Sequence, residues 1–487
     1  MSHRPYPIIL PLIIILALVT GCSDNAPSHQ KAAPKAVKNG PAVQGCQGCH
    51  PVSLDKRHDL PCEDCHQGTA LANSKQTAHA GLIHDPAHPD RMMRVCGKCH
   101  EAIVKQATDT LHFTVAKEIN RVRQAFGGPT PLPSLTVIPQ HADPKTPLQL
   151  AEDLLRRRCL RCHLYSAGDA YPATRHGTGC AACHLAFENG SPSSHQFLAR
   201  PGDRQCLSCH YGNRVGADYY GRFEHDVNWD YQTPFSATAQ DEVPPYGIGY
   251  HQLSPDLHQQ AGMSCIDCHD GQELMAGGRR LTCLSCHGSS LGQEGPDSLR
   301  EAEGHRQLTT VLTGKRLEVP VMKDPAHANY GEKVACQVCH AQWSFADHGN
   351  HLLRLDIPDY EPWRAMIRQG SSEVERKLGE VLFQNASDQE PTMTDGITGA
   401  TLPGIWLQAY EIRRWEEINT CLDGYGVLQV CRPILDLHLS YVNQDGEVMF
   451  NGVTPVADTP LLSPYTPHTT GRAGAFYGQR LSRPPLP

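Results

Sequence analysis

Apolar residues are sparse and unevenly spread along this 487-residue chain. The one long apolar run lies near the N-terminus, from Ile8 to Val19, after His3 and Arg4 and just before Thr20-Gly21-Cys22. Too short and too abruptly ended for a spanning helix, it reads as the h-region of a secretory signal over residues 1–21. Beyond it few segments keep a period. Glu101–Phe126 is helix-like, and Glu373–Phe383 predicts a helix with Val374, Leu378, Val381 and Leu382 on one stripe. Leu402–Ile418 predicts a second helix. Ile434–Tyr441 alternates as a strand, and Asn443-Gln444-Asp445-Gly446 turns it into another short strand, Glu447–Phe450. Two stretches have no period at all. Residues 22–45, rich in Ala, Pro, Lys and Asn, predict a flexible tether with a reach of roughly 25–30 Å, and residues 127–150 predict a proline-rich linker.

Composition explains the missing periodicity only when the cysteines are placed. Aromatics are 6% of the chain, against 42 glycines and 38 prolines. Nine times Cys-x-x-Cys is followed at once by His. The cysteine pairs are Cys46 and Cys49, Cys62 and Cys65, Cys96 and Cys99, Cys159 and Cys162, Cys180 and Cys183, Cys206 and Cys209, Cys265 and Cys268, Cys283 and Cys286, and Cys336 and Cys339. Their histidines are His50, His66, His100, His163, His184, His210, His269, His287 and His340. This is the attachment signature of a c-type haem. Each thiol can form a thioether to one haem vinyl group, and the following imidazole becomes the proximal iron ligand. Zinc is the rival reading, but zinc does not require a histidine directly after the second cysteine. Nine covalently attached haems are therefore expected.

With about 33 residues per haem between Cys46 and His340, no conventional core can wrap each one. The haems themselves are expected to form the core. The predicted fold class is mostly irregular and α-helical with little sheet, plus a small α+β haem-free C-terminal part. Residues 46–126 carry three motifs, residues 151–353 carry six, and residues 354–487 carry none. Asp85-Pro86-Ala87-His88 ahead of Cys96 is echoed by Asp324-Pro325-Ala326-His327 ahead of Cys336, which suggests duplicated haem-binding units.

The remaining cysteines narrow the compartment. Of 21, eighteen belong to motifs, and Cys22 ends the apolar run after a small residue, as in a bacterial lipobox. Cleavage before Cys22 and lipidation of its thiol are expected. Ser23 in the next position favours, by resemblance to bacterial lipoproteins, the outer membrane, with the body on its periplasmic or cell-surface face. Cys421 and Cys431 are left over, and outside the cytoplasm they read as a disulfide, with two separate thiols as the alternative.

Function depends on the sixth iron ligand, which the motifs do not contain. Of 28 histidines nine are proximal, and discarding His3 leaves eighteen for nine positions. His58, His79, His84, His88, His112, His176, His195, His225, His251, His258, His305, His327, His348 and His351 lie in the motif region and are the candidate second ligands. His29, His141, His438 and His468 are second choices, and one of the last two is a candidate to serve a neighbouring subunit. Met92, Met93, Met263 and Met275 lie near motifs, but histidine is plentiful enough to predict two imidazoles at every iron. Such irons are six-coordinate and low in potential, which suits electron transfer.

The motifs, the lipobox, and stretches such as Cys206-Leu-Ser-Cys209-His210-Tyr-Gly-Asn and Asp256-Leu-His258-Gln-Gln-Ala-Gly-Met-Ser-Cys265-Ile-Asp-Cys268-His269 resemble the multihaem c-type cytochromes of metal-respiring Gram-negative bacteria. The resemblance covers roughly residues 46–351. It implies closely packed haems that pass electrons across the periplasm or at the cell surface. The partners it implies are other redox proteins, including a porin or other multihaem cytochromes, together with the membrane through lipid on Cys22 and further copies of the chain in an oligomer or filament. Nucleic acid is not an expected partner, because the formal charge is −8 before the haem propionates are added. The competing expectation is a multihaem oxidoreductase acting on a small nitrogen or sulfur oxyanion at one five-coordinate haem. The chain has no Cys-x-x-Cys-Lys variant, so such a haem would have ordinary attachment.

Overall fold

The computed structural model describes residues 45–482 except 169–172, 189–190, 213–214, 225–249, 289–294, 360, 367–370, 372, 376, 378, 380–389, 416–417 and 474–476. The segment read as a signal, Cys22 and the stretch read as a tether, apart from Gly45, thus lie outside the described residues. Gly45–Pro487 forms one compact unit. No described helix is long and apolar enough to cross a membrane.

The chain is not mostly irregular and helical. Among the described residues, strands form six sheets, interspersed with short helices. This corrects the expected fold class, for two physical reasons. The first is that several sheets are two- or three-stranded ribbons, such as Leu185–Glu188 with Ser191–Phe197. A ribbon with no buried face needs no apolar alternation, and Ser191-Pro-Ser-Ser-His-Gln-Phe197 shows none. The second is that strands of the largest sheet are buried on both faces. In the segment read as a helix over Leu402–Ile418, Ile405–Arg414 is a ten-residue strand with Trp406, Leu407 and Ala409 all buried. Burial on both sides erases the period of two. Gly404, at φ +85°, breaks this strand from Thr401–Pro403, and a side chain there would collide with Asp356.

The largest sheet runs Ile405–Arg414, Ala346–Leu355, Leu437–Val442, Val448–Val453. Ala346–Leu355 pairs antiparallel with the first and parallel with Leu437–Val442, so the last motif leads straight into its centre. The Asn443–Gly446 turn closes the final hairpin, with Asn443 Oδ1 accepting from the amides of Asp445 and Glu447. Of the predicted Glu373–Phe383 helix, Glu373–Glu375, Lys377 and Gly379 are helical, and the rest lies outside the described residues. Cys421 and Cys431 form a disulfide between the adjacent strands Asn419–Leu422 and Leu428–Pro433.

The proline-rich stretch is packed rather than free. Leu135 and Ile138 are buried beside Ile119 and Leu155. Thr146 caps the helix Pro147–Arg157, its hydroxyl accepting from Gln149 N at 3.2 Å, and Pro147 opens the first turn. Leu150, Ala151 and Leu154 then sit against Leu352, Trp406, Leu439 and Tyr441 of the main sheet. The same helix buries four charges. Asp153 pairs with Arg157 at 3.1 Å and Arg354 at 3.2 Å, and Arg354 also holds Asp356 at 2.9 Å.

A second charge cluster carries a pH dependence. Arg413 lies among Glu411, Glu224 and Asp347. Burial pushes the Glu411 carboxyl up to about 7, against the opposing pull of Arg413. The folded state therefore binds this proton more tightly than the unfolded chain, whose carboxyl has a value of 4.5. Stability from this group is present at low pH and is lost as pH rises from 4.5 through about 7. Urea unfolding across that range should show the decline, and Glu411→Gln should flatten it. An unchanged slope in the variant would assign it to other groups.

Candidate haem sites

Cys-x-x-Cys-His works as a site because of helical geometry. Residues i, i+3 and i+4 share one face of a helical turn, so both thiols and the imidazole project together. Most motifs adopt such turns, including Cys62–His66, Cys180–His184, Cys283–His287 and Cys336–His340. In the first, third and seventh motifs the histidine amide donates to the first cysteine carbonyl at 2.9 Å. All eighteen motif cysteines are free thiols.

The histidines are arranged in pairs. Ring centres lie 5.9 Å apart for His50 and His79, 6.3 Å for His100 and His58, and 6.2 Å for His66 and His195. The separation is 6.3 Å for His210 and His112, 6.3 Å for His269 and His468, 6.0 Å for His287 and His258, and 6.2 Å for His340 and His327. An imidazole nitrogen sits about 2 Å from a first-row metal that it binds, with the ring centre roughly 1 Å further back. Two imidazoles facing one iron therefore have ring centres roughly 6 Å apart. Direct ring contacts span a similar range, so distance alone does not decide. Each of these seven pairs joins one motif histidine to one histidine outside the motifs, whereas chance contacts would mix the two kinds. Among the described residues no group of three or more His, Cys, Asp and Glu side chains converges as a zinc site requires.

Hydrogen bonds orient the rings. Nδ1 of His66, His184, His287 and His340 lies 2.7–3.0 Å from the carbonyls of Ile83, Leu198, Pro320 and Gly471. A carbonyl only accepts, so Nδ1 carries the proton and Nε2 keeps its lone pair for a metal. Carboxylates do the same for His269, through Glu273 at 2.9 Å, and for His58 and His258, through Asp55 at 2.9 Å and Asp256 at 2.8 Å. Burial lowers His210 and His468 to about 4, which keeps both neutral.

Two motif histidines, His163 and His184, have no second histidine ring near 6 Å among the described residues. His163 differs further. It is buried, and its neighbour at 5.8 Å is Tyr165, whose amide donates to His163 Nδ1 at 3.0 Å. An amide only donates, so Nδ1 accepts here and the proton falls on Nε2, opposite to His66, His184, His269, His287 and His340. Its motif is also the least helical, with Leu160 and Cys162 outside helical backbone angles.

Other candidates are placed elsewhere. His84 is an exposed partner of Asp85, and His305 an exposed partner of Glu318. His351 is buried in the main sheet, bonded to Ser440 Oγ at 2.7 Å, and His348 lies opposite Ile412 in that sheet. His88 caps Pro89–Val95 by accepting from Asp90 N and meets Tyr165 edge-on at 5.5 Å. His176 is buried, with Nε2 3.4 Å from Cys209 Sγ, and His251 lies on a short strand opposite Phe223. His225 and His29 fall outside the described residues. His141 and His438 face Glu152 and Asp436. His468, a second choice by position, is paired. Nothing near it in sequence could have signalled that, because His269 is 199 positions away.

Comparison with family models, with curated proteins and with solved structures finds no match for this chain.

Proposed function

We propose that this chain is a nonahaem c-type cytochrome that transfers electrons, anchored to the outer membrane by lipid on Cys22. The seven motif-to-partner imidazole pairs carry this reading. A haem held at such a pair would supply a one-electron iron couple. The protein's part is to hold the rings. Backbone carbonyls and carboxylates keep Nδ1 protonated and Nε2 aimed, and the two motif thiols would tether the haem. Two imidazoles at one iron would leave no position for substrate, which favours conduction over catalysis. The acidic chain suits redox partners with basic patches, including other multihaem cytochromes or a porin-associated complex. The test is a haem count of the isolated protein by pyridine haemochromogen together with EPR of the oxidised form. Nine haems, predominantly low-spin, are expected. A predominantly high-spin spectrum overturns the reading.

A second reading, turnover of a small nitrogen or sulfur oxyanion at one haem, is favoured only by His163. Its ring faces a tyrosine and carries its proton on the nitrogen that would bind iron. Cyanide binding at a single site, lost in Cys159→Ala/Cys162→Ala, together with oxyanion turnover would establish it.

A further inference from the structure

Motifs meet at their thiols. Cys46 and Cys62 are within hydrogen-bonding reach, as are Cys96 and Cys180, Cys206 and Cys265, and Cys283 and Cys336. Between these doublets, Cys65 lies within electrostatic range of Cys96 and Cys99, Cys183 of Cys206, and Cys268 of Cys286. Other contacts support the same junctions. Lys98 Nζ donates to Asp64 O at 3.1 Å, joining the second motif to the third. Cys96 and Cys180 pack on one apolar cluster with Met92 and Phe113, with Cys180 Sγ 3.9 Å from Met92 Sδ. The turn Cys180–His184 packs on the helix Asp203–His210, and Cys265 N donates to Asp203 Oδ1 at 2.9 Å. Gln337 Nε2 reaches Cys283 Sγ at 3.9 Å.

Each thioether sulfur would be bonded to the edge of its own haem. Two such sulfurs in contact bring neighbouring edges together, and electron transfer weakens steeply as edges separate. Resting on the haem reading above, we propose that the conducting line runs through sites one, two, three, five, six, seven, eight and nine. Sites three and five exchange electrons directly across the Cys96–Cys180 junction, so the line does not require site four. Each hop moves one electron, oxidising the donor site and reducing the acceptor site by one equivalent, with no bond made or broken. One-electron redox proteins at the two ends supply and remove it. The order in space thus departs from the order in the chain at one place.

The test uses the holoprotein with one attachment removed, as Cys180→Ala/Cys183→Ala or as Cys159→Ala/Cys162→Ala, each expected to retain eight haems. Adjacent ferric haems couple magnetically, and a His58→Ala variant identifies the signal of site three. Loss of site five should release site three from coupling on that side and narrow its EPR line. Loss of site four should leave that line unchanged. The reverse pattern overturns the proposal. Should either double variant fail to fold, His184→Met and His163→Met keep all nine attachments and raise the potential of one site. A redox titration should then show site three shifting with the first and not with the second, and the opposite result is equally fatal. A wild-type protein without nine haems, predominantly low-spin, would instead refute the haem reading itself.

Discussion

His112→Ala should turn one low-spin haem into a high-spin one without loss of haem. His112 faces His210 with ring centres 6.3 Å apart and planes at 88°, and burial holds its pKa below the usual histidine value. The pair is therefore neutral and available to a metal across the working pH range. Alanine would remove the sixth ligand proposed for the sixth site but leave Cys206, Cys209 and His210, which would make the covalent and proximal attachment. EPR of the oxidised variant should show a high-spin signal equivalent to about one haem in nine, with an unchanged haemochromogen count. His112→Met should keep the site low-spin and raise its potential, since a thioether sulfur favours the reduced iron. His305→Ala is the control, because His305 is exposed and engaged with Glu318. An unaltered spectrum in His112→Ala would mean that the ring pair is a packing contact.

Asp153→Ala should cost about 3–5 kcal/mol of stability, the range for breaking a buried ion pair from one side. Asp153 is 3% exposed and holds Arg157, Arg354 and the Trp406 indole N–H at once. Without it Arg157 keeps only the Pro403 and Gly404 carbonyls as hydrogen-bond partners among those described. Arg354 retains Asp356, which limits the loss to the near side of the network. Because the network ties the helix before the fourth motif to the main sheet, both should loosen together. Urea unfolding of the holoprotein reads the change. The exposed Lys145–Asp143 pair offers the contrast, and its removal should cost at most about 1 kcal/mol. A similarly small loss at Asp153 would show that the buried charges are compensated by other groups.

These expectations rest on features of unequal visibility in the chain. The nine attachment motifs are complete in themselves, because two thiols and an imidazole within five residues share one helical face whatever surrounds them. The Asn443–Gly446 hairpin was legible for a similar reason, as its turn chemistry lies in consecutive residues. Sheet content was not. Ribbons without a buried face carry no alternation, and a strand buried on both sides, such as Ile405–Arg414, reads as an apolar stripe.

Proximity along the chain does not tell which rings face one another. His58 precedes Cys62 but faces His100, and His258 precedes Cys265 but faces His287. His66 pairs with His195 and His269 with His468, across 129 and 199 positions. Residues 354–487, which carry no motif, thereby place an imidazole against that of the seventh motif, and the stretch read as a linker around Leu135 and Leu150 becomes core. Attachment chemistry is local, so the order of residues alone determines where a haem can be joined. The opposite imidazole comes from whichever segment packs across the site, and the neighbouring thiols come from whichever turns meet. Only tertiary packing chooses those, because the contact is made through space and leaves no trace in sequence spacing.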